Sequence, residues 1–404
     1  MKPIEEIQQG LEKQRRLYRL KSYFRRGKRR IADFLPMQFL QQQPDVEYSV
    51  VREAEKVKTY LPKLFGSEQQ SRSLQLAEVG IYECRNYCFS MDSTAIMSSD
   101  LETVYFEEIE PFNTEFNILY NTDTLYFHSH RLVKFRNWHR KRLRHEILFL
   151  GGTFTFNYFH FFLELLSKTE FLNAVKNSET LRIAVSTRVE KIENLKTLLS
   201  IFIPLEKVIF LEPNRIYQCA KLWHITYPNS VVPNIIEGEL YRAEFIKYAP
   251  SSIEFLRKTC SEKFDMQKVN CSPVARIFFG RKSVFRQYNE DETFEIAKKY
   301  GFEKVYLEDF NIHEQMFLIK NADYILGPSG AAWTNMLFCT EGKTKGLLWL
   351  QEVWTEFSAF STLAVLCGVD LYQYQFETPD NTFHGEYQLP LEDFERQLQK
   401  LMQV

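Results

Sequence analysis

From residue 275 to its end the chain repeats one pattern: a short apolar run, then a longer stretch with helix signals. The apolar runs are ARIFFG (275–280), FEKVYLE (302–308), ADYILG (322–327), GLLWLQ (346–351) and DLYQYQF (370–376). Each has the length of a strand and is rich in β-branched and aromatic residues. Between them lie helix boundaries. Asn289 with Glu292 three residues on predicts a capping box, closed by Gly301 after the last turn. Asn311 with Glu314 predicts a second, opening a helix to about Lys320. Further helices are expected from Ala331, near 354–367, and after Pro390, where Phe394, Leu398 and Leu401 share a face. Strands that alternate with helices pair in parallel, and right-handed crossovers make the sheet doubly wound. This constraint fixes an α/β fold class.

The same texture begins earlier. ILFLGG (147–152), LRIAVS (181–186), KVIFLEP (207–213) and KLWHITYP (221–228) read as strands. A long helix from near Asn157 and a helix over VEKIENLKTLLSIF (189–202) separate the first three. TYPNSVVPNIIEGE (226–239) opens a loose stretch in which an interdomain linker is expected. Residues 76–135 carry short strand-like runs such as VGIYECRNYCF (79–89), whereas 35–75 are polar and broken by Pro36, Pro44, Pro62 and Gly66. With 404 residues the chain exceeds one ordinary core. The expected division is a basic extension and connecting segment (1–75), a first domain (76–250) and a second domain (251–404) with the final helix packing back.

Charge is uneven. Residues 1–30 hold eleven Lys/Arg against three Glu, mostly in KQRRLYRLKSYFRRGKRR (13–30), with Leu17, Tyr18, Leu20 and Phe24 at helical spacing. Such a basic helical extension suits an anionic membrane surface, at about 1 kcal/mol per basic residue near the headgroups. RNA binding and a plain solvated helix are the other readings. No nucleic-acid-binding fold signature accompanies the patch, so no nucleic acid is expected as partner. No apolar h-region follows the charged start, and no uncharged apolar run of 18 residues occurs. Seven Cys without a CxxC pair read as reduced thiols. These features lead to the expectation of a cytoplasmic protein, peripheral at the inner face of the membrane.

In a doubly wound sheet, ligands bind beyond the C-terminal ends of the strands. Two loops belong there: GRKSVFRQYNEDE (280–292), with Arg281, Lys282 and Arg286, and GPSGAAWTN (327–335). Small residues at a strand-to-helix turn let backbone N–H groups approach an anion, and a helix start adds about half a positive charge. A basic loop beside such a turn makes a diphosphate pocket. Singly, the glycines serve any tight turn and the arginines any acidic neighbour; it is their pairing that points to an anion. Neither a Walker loop nor GxGxxG is present, which disfavours an NTPase or a dinucleotide enzyme. No DxD occurs to hold a metal on a nucleotide diphosphate, and FHSH (127–130) shows no third ligand, so no metal ligand is assigned. In NYFHFFLELL (157–166), His160 and Glu164 are four apart on one helical face within an aromatic setting. They form either a buried structural pair or a general base tuned by desolvation.

The segment 276–339, RIFFGRKSVFRQYNEDETFEIAKKYGFEKVYLEDFNIHEQMFLIKNADYILGPSGAAWTNMLFC, resembles the family-61 glycosyltransferases, which include bacterial capsular-polysaccharide enzymes. Its basic loop with an Asn–Glu pair, its YLED…EQ segment and its GxxGAxxTN turn carry the likeness, and NYFHFFLELL is similar to the family's N-x-x-H-x-x-x-(Asp/Glu) segment. The likeness runs from about residue 78 to the C-terminus. It implies a GT-B architecture, two Rossmann-like doubly wound domains facing across a cleft, with a nucleotide-sugar donor in the second. It implies inverting transfer to a polysaccharide or glycolipid acceptor in surface (capsule or LPS type) glycan synthesis, with no cofactor and no obligatory metal. Carried over by position, Arg281, Arg286, Asn289, Glu308, Ser329, Gly330, Ala331, Thr334 and Asn335 hold the donor. Glu164 is the candidate base and His160 the second. Ser329 departs from the family, where many relatives have His; a serine donates a hydrogen bond but carries no charge. That departure keeps open a non-catalytic glycan- or nucleotide-binding protein with the same fold.

Overall fold

The structure, a computed structural model, describes residues 31–91, 93–107, 122–129, 132–176, 179–231, 242–283, 285–351, 356–378 and 385–404. The basic segment 13–30 and His130 of FHSH lie outside the described residues.

Two sheets organise the chain. The first has six strands: β1 (Val46–Arg52), β2 (Val79–Arg85), β3 (Glu146–Phe149), β4 (Leu181–Ser186), β5 (Val208–Leu211) and β6 (Lys221–Ile225). They lie in the order β5-β4-β3-β6-β2-β1. The first four, from the edge strand β5 to β6, pair in parallel, and β2 and β1 add antiparallel. The second sheet is wholly parallel: β7 (Arg276–Phe279), β8 (Glu303–Val305), β9 (Tyr324–Pro328), β10 (Lys345–Gln351) and β11 (Asp370–Phe376), in the order β8-β7-β9-β10-β11.

Side-chain alternation decides how the second sheet is covered. Phe278, Leu326, Leu347 and Trp349 pack on one face with Ala297, Phe394, Leu398 and Leu401, from the helices Glu290–Lys299 and Leu391–Gln403. Ile277, Phe279, Ile325, Leu348 and Leu350 point the other way, toward Ile312, Met316, Trp333 and Leu363. Helices therefore cover both faces, as the period-2 pattern of the strands requires.

The first sheet differs from the doubly wound expectation. Leu148, Ile183, Val185 and Trp223 face helices, among them Glu193–Phe202. Ile147, Phe149, Ala184 and Leu222 instead pack with Phe89, Ile96, Tyr105 and Tyr217. Those four residues belong to a mixed eight-stranded sheet built largely from residues 31–142. Strands, not helices, form its second layer.

The segment 35–75, read from its polarity as a connector, also carries strands. Ile31–Pro36 and Val46–Arg52 join the two large sheets, and Glu55–Tyr60 pairs with Ser71–Leu76 as a hairpin. The hairpin clasps both halves of the chain. Thr59 Oγ1 donates to the Ile246 carbonyl at 2.5 Å, the Tyr60 N–H donates to Thr362 Oγ1 at 2.9 Å, and Lys63 pairs with Asp370 at 2.5 Å. Polar side chains misled the reading because this two-stranded hairpin buries only a few apolar residues, Val57 and Leu76 against Ala249, and is otherwise fastened by hydrogen bonds.

Among the described residues no helix is long and apolar enough to cross a membrane, and all seven cysteines are free thiols. The last helix tests the packing scheme. Leu398 is fully buried, so Leu398→Ala is expected to lower unfolding free energy by about 3 kcal/mol in urea titration. Val404→Ala on the exposed end of the chain is expected to change it by less than about 0.5 kcal/mol.

Candidate functional site

Each parallel sheet contains a point where strand order reverses. In the second it lies between β7 and β9, since β8 adds outside β7 and the remaining strands add outside β9. In the first it lies between β3 and β6, because the connection from β5 to β6 runs through Ile216–Gln218 of the mixed sheet. Loops diverge at such points and leave a crevice beyond the strand ends. The loops there are 280–289 and 329–330 in the second sheet, both within the segments singled out by sequence, and 150–157 in the first, which leads into the singled-out segment 157–166.

In the second sheet the two loops touch. Arg281 Nη2 donates to the Ser329 carbonyl at 2.5 Å, and the Arg281 N–H donates to Glu290 Oε2 at 2.8 Å. Glu290 is held in turn by the Tyr306 hydroxyl at 2.9 Å. The guanidinium is thus fixed across the mouth of the crevice. A Cβ on Gly330 would stand 3.2 Å from Arg281 Nη2, so the glycine admits this close approach. Gly327 serves a different need, because a Cβ there would stand 2.9 Å from Phe279 Cβ on the neighbouring strand. Arg286, half-buried, adopts a left-handed φ of 56°. Burial and the like charge of Arg281 push its guanidinium down to about 10. Arg281, Arg286 and Ser329 line a small cleft together with Trp349, Leu350, Gln351 and Tyr387.

The other assigned residues lie differently. Asn289 precedes the helix Glu290–Lys299 but does not cap it with its side chain. Its amide instead donates to the Leu389 carbonyl at 3.0 Å and accepts from the Leu389 N–H at 2.7 Å. The capping box expected there is therefore absent, whereas Asn311 and Glu314 form theirs. Gly301 ends the helix with φ 78°. Glu308 is exposed on the turn Leu307–Asp309, and Lys282 pairs with Asp309. Ala331, half-buried, opens the 3-10 helix Ala331–Phe338. Thr334 and Asn335 are buried inside that helix, outside the cleft lining.

Asn335 makes the link to the first sheet. Its Oδ1 accepts from the Tyr158 hydroxyl at 2.9 Å, while its Nδ2 donates to the Ala332 carbonyl at 2.9 Å. Tyr158 starts the helix that bears His160 and Glu164, capped by the Asn157 side chain on the Phe159 N–H. This helix is irregular. It makes one α turn over Tyr158–His160, widens to π over Phe161–Leu165 and tightens to 3-10 over Leu166–Ala174. Widened turns of this kind occur often at functional sites. His160 Nδ1 and Glu164 Oε2 are 2.6 Å apart. Glu164 is the more enclosed, with 5% of its side chain accessible against 14% for His160. Burial pushes the Glu164 carboxyl up, partly offset by His160, Lys168 and the Val231 N–H. Phe154, left-handed with φ 58°, packs 5.4 Å from the imidazole, and Phe156 is exposed with Arg188 5.1 Å over its ring.

Sequence reasoning missed Trp349, Gln351 and Tyr387. Trp349 and Gln351 sit at the C-terminal end of β10, where the strand-end rule pointed; Tyr387 had no local signal. It also missed Glu107, Lys168 and His224, which meet at 3.6 Å (Lys168 to Glu107) and 2.9 Å (His224 to Glu107).

Residues 158–346 match the family model described as Glycosyltransferase 61. The match starts at Tyr158 and ends within β10, narrower at both ends than the likeness expected from sequence. No curated protein matches the chain. Inside the matched segment, Asn289→Ala removes two hydrogen bonds to the Leu389 backbone. The expected result is a loss of about 2 kcal/mol in chemical denaturation.

Proposed function

We propose that this chain, whose residues 158–346 belong to the glycosyltransferase 61 family, transfers a sugar from a nucleotide-sugar donor to a glycan or lipid-linked glycan acceptor, inverting the anomeric carbon. The observation that carries the reading is the Arg281–Ser329 contact, which holds two arginines and the start of a helix around one cleft. In glycosyl transfer, negative charge accumulates on the departing diphosphate. Fixed cations and helix-start N–H groups stabilise that charge most where they need no rearrangement. Arg281 and Arg286 carry full charges, and the first N–H groups of Ala331–Phe338 lack partners within the helix. Ser329 Oγ adds a neutral donor. Charge supplied in this way is the basis for proposing transfer without an obligatory metal or cofactor.

The acceptor hydroxyl must lose a proton on the opposite side. With Glu164 ionised, His160 donates from Nδ1, which leaves Nε2 as a proton acceptor. His160 is also the more accessible of the two. The geometry thus favours His160 Nε2 as the base with Glu164 behind it, reversing the order that the resemblance implies. Phe156, exposed near this helix, offers a face for a sugar ring. A GT-B arrangement of two facing domains, divided at about residue 250, is supported by the two strand-order reversals and the Tyr158–Asn335 bond between their loops. We extend the reading to surface glycan synthesis of the capsule or LPS type, at the cytoplasmic face of the membrane, with residues 13–30 as the basic contact.

A panel of nucleotide sugars tested for donor turnover addresses the proposal. Arg281→Ala and Glu164→Ala are each expected to lower kcat by about 100-fold or more. Activity is expected to persist in EDTA. Full activity in both variants contradicts the assignments. The uncharged Ser329 favours one other reading, a non-catalytic nucleotide-binding protein; nucleoside diphosphate binding without turnover of any donor in the panel would establish it.

A further inference from the structure

At the reversal point of the first sheet, the turn after β3 sets an aromatic ring in solvent and holds it there. The Asn157 N–H donates to the Phe154 carbonyl at 2.8 Å and closes the turn. Phe154 takes its left-handed φ of 58°, Thr155 is buried, and Phe156 has 43% of its surface accessible. A phenylalanine that is merely exposed needs no explanation. This one has fixed surroundings. The Phe154 ring meets it edge-on, with centroids 6.3 Å apart and planes at 73°. The Arg188 guanidinium lies 5.1 Å from the centroid of the Phe156 ring. Arg188 Nη2 in turn donates to Asp123 Oδ2 at 2.6 Å.

Three parts of the chain supply this group. Phe154 and Phe156 follow β3, and Asp123 precedes the strand Leu125–Ser129. Arg188 follows β4 on the short helix Thr187–Glu190, where its N–H donates to the capping Ser186 Oγ at 3.3 Å. β3 and β4 are parallel neighbours, so both loops leave from the strand ends at which such sheets bind ligands. Phe154 also packs 5.4 Å from the His160 imidazole, centroid to centroid. The exposed ring therefore stands one aromatic ring away from that imidazole.

The chemistry of the group selects its ligand. A phenyl face is apolar with a negative quadrupole, which suits the C–H face of a sugar ring. Beside it stand a guanidinium and a carboxylate with 37% and 36% of their side chains accessible. Of its five side-chain N–H donors Arg188 gives one to Asp123, and the others donate to no group among the described residues. A guanidinium only donates and a carboxylate only accepts, whereas a sugar hydroxyl does both, so two neighbouring hydroxyls meet the pair. The two charges cancel. An acidic sugar gains no net attraction here, and its carboxylate would face Asp123.

We propose that Phe156, Arg188 and Asp123 form an acceptor subsite for a neutral sugar ring with adjacent free hydroxyls, stacked on Phe156 and held at its edge by the Arg188–Asp123 pair. The subsite rests on the reading of the chain as one that handles a glycan acceptor, and it does not require His160 or Glu164 to act as base.

The test measures binding of the full chain to an array of neutral and uronic-acid-containing oligosaccharides, with affinities for the array hits taken by calorimetry. The parent chain is expected to bind neutral members. Phe156→Ala and Arg188→Ala are each expected to weaken that binding by about 10-fold or more. Phe156→Trp keeps an aromatic face and is expected to retain it. Arg188→Lys keeps the charge but not the planar fork, and is expected to fall with Arg188→Ala. An unchanged urea midpoint in Phe156→Ala, whose ring is exposed, separates lost binding from lost fold. No binding to any glycan, binding confined to acidic glycans, or unchanged binding by either alanine variant overturns the proposal. If the variants lose glycan binding but the parent chain turns over no donor in the nucleotide-sugar panel, the subsite stands and the transferase reading fails. Donor turnover by a parent chain whose alanine variants bind glycans as before gives the reverse.

Discussion

Between β7 and β9 the chain changes the direction in which it adds strands. The helix Glu290–Lys299 packs on one face of the sheet and Ala331–Phe338 on the other, so the loops leading into them part at the strand ends. The crevice that results is a property of topology and exists whatever side chains line it. Arg281 spans it, with its backbone N–H tied to Glu290 and its guanidinium to the Ser329 carbonyl. A second guanidinium, that of Arg286, is partly desolvated beside the first. Two like charges in a half-buried cleft are costly alone and favourable around an anion. The left-handed backbone at Arg286 adds a further cost.

The first sheet repeats the device with different chemistry. Its reversal lies between β3 and β6, and the loop there carries its own left-handed residue, Phe154, next to His160. The helix beyond widens where Glu164 turns inward, and further along it the buried Lys168 lies 3.6 Å from Glu107. A loop with two arginines and a loop with two phenylalanines thus occupy the two reversal points, and the helices that follow them are joined by a hydrogen bond from Tyr158 to Asn335. In the function proposed above, one side holds the leaving diphosphate and the other takes up the acceptor's proton.

The second sheet was legible because its three central strands, β7, β9 and β10, are buried on both faces and read as largely apolar runs, as YIL does before Gly327. The layer behind the first sheet was not. Its strands are short, as at Cys88–Phe89 and Ile96–Met97, and two residues are too few to show a period. The hairpin Glu55–Tyr60 and Ser71–Leu76 was hidden for a related reason, since it is fastened by polar contacts to residues such as Thr362, about 300 positions away. In the site, Arg281, Arg286 and Ser329 could be placed because a loop after a strand has one place to go. Asn289 could not, because a cap and a clamp on Leu389 look alike in sequence. Glu107 and His224 meet only in three dimensions, 117 positions apart.

A crystal structure with a nucleoside diphosphate bound addresses the central claim most directly. The account predicts both phosphates in the cleft between Arg281, Arg286 and the start of Ala331–Phe338, within hydrogen-bonding distance of at least one guanidinium. A diphosphate seated elsewhere, with that cleft left to solvent, contradicts it.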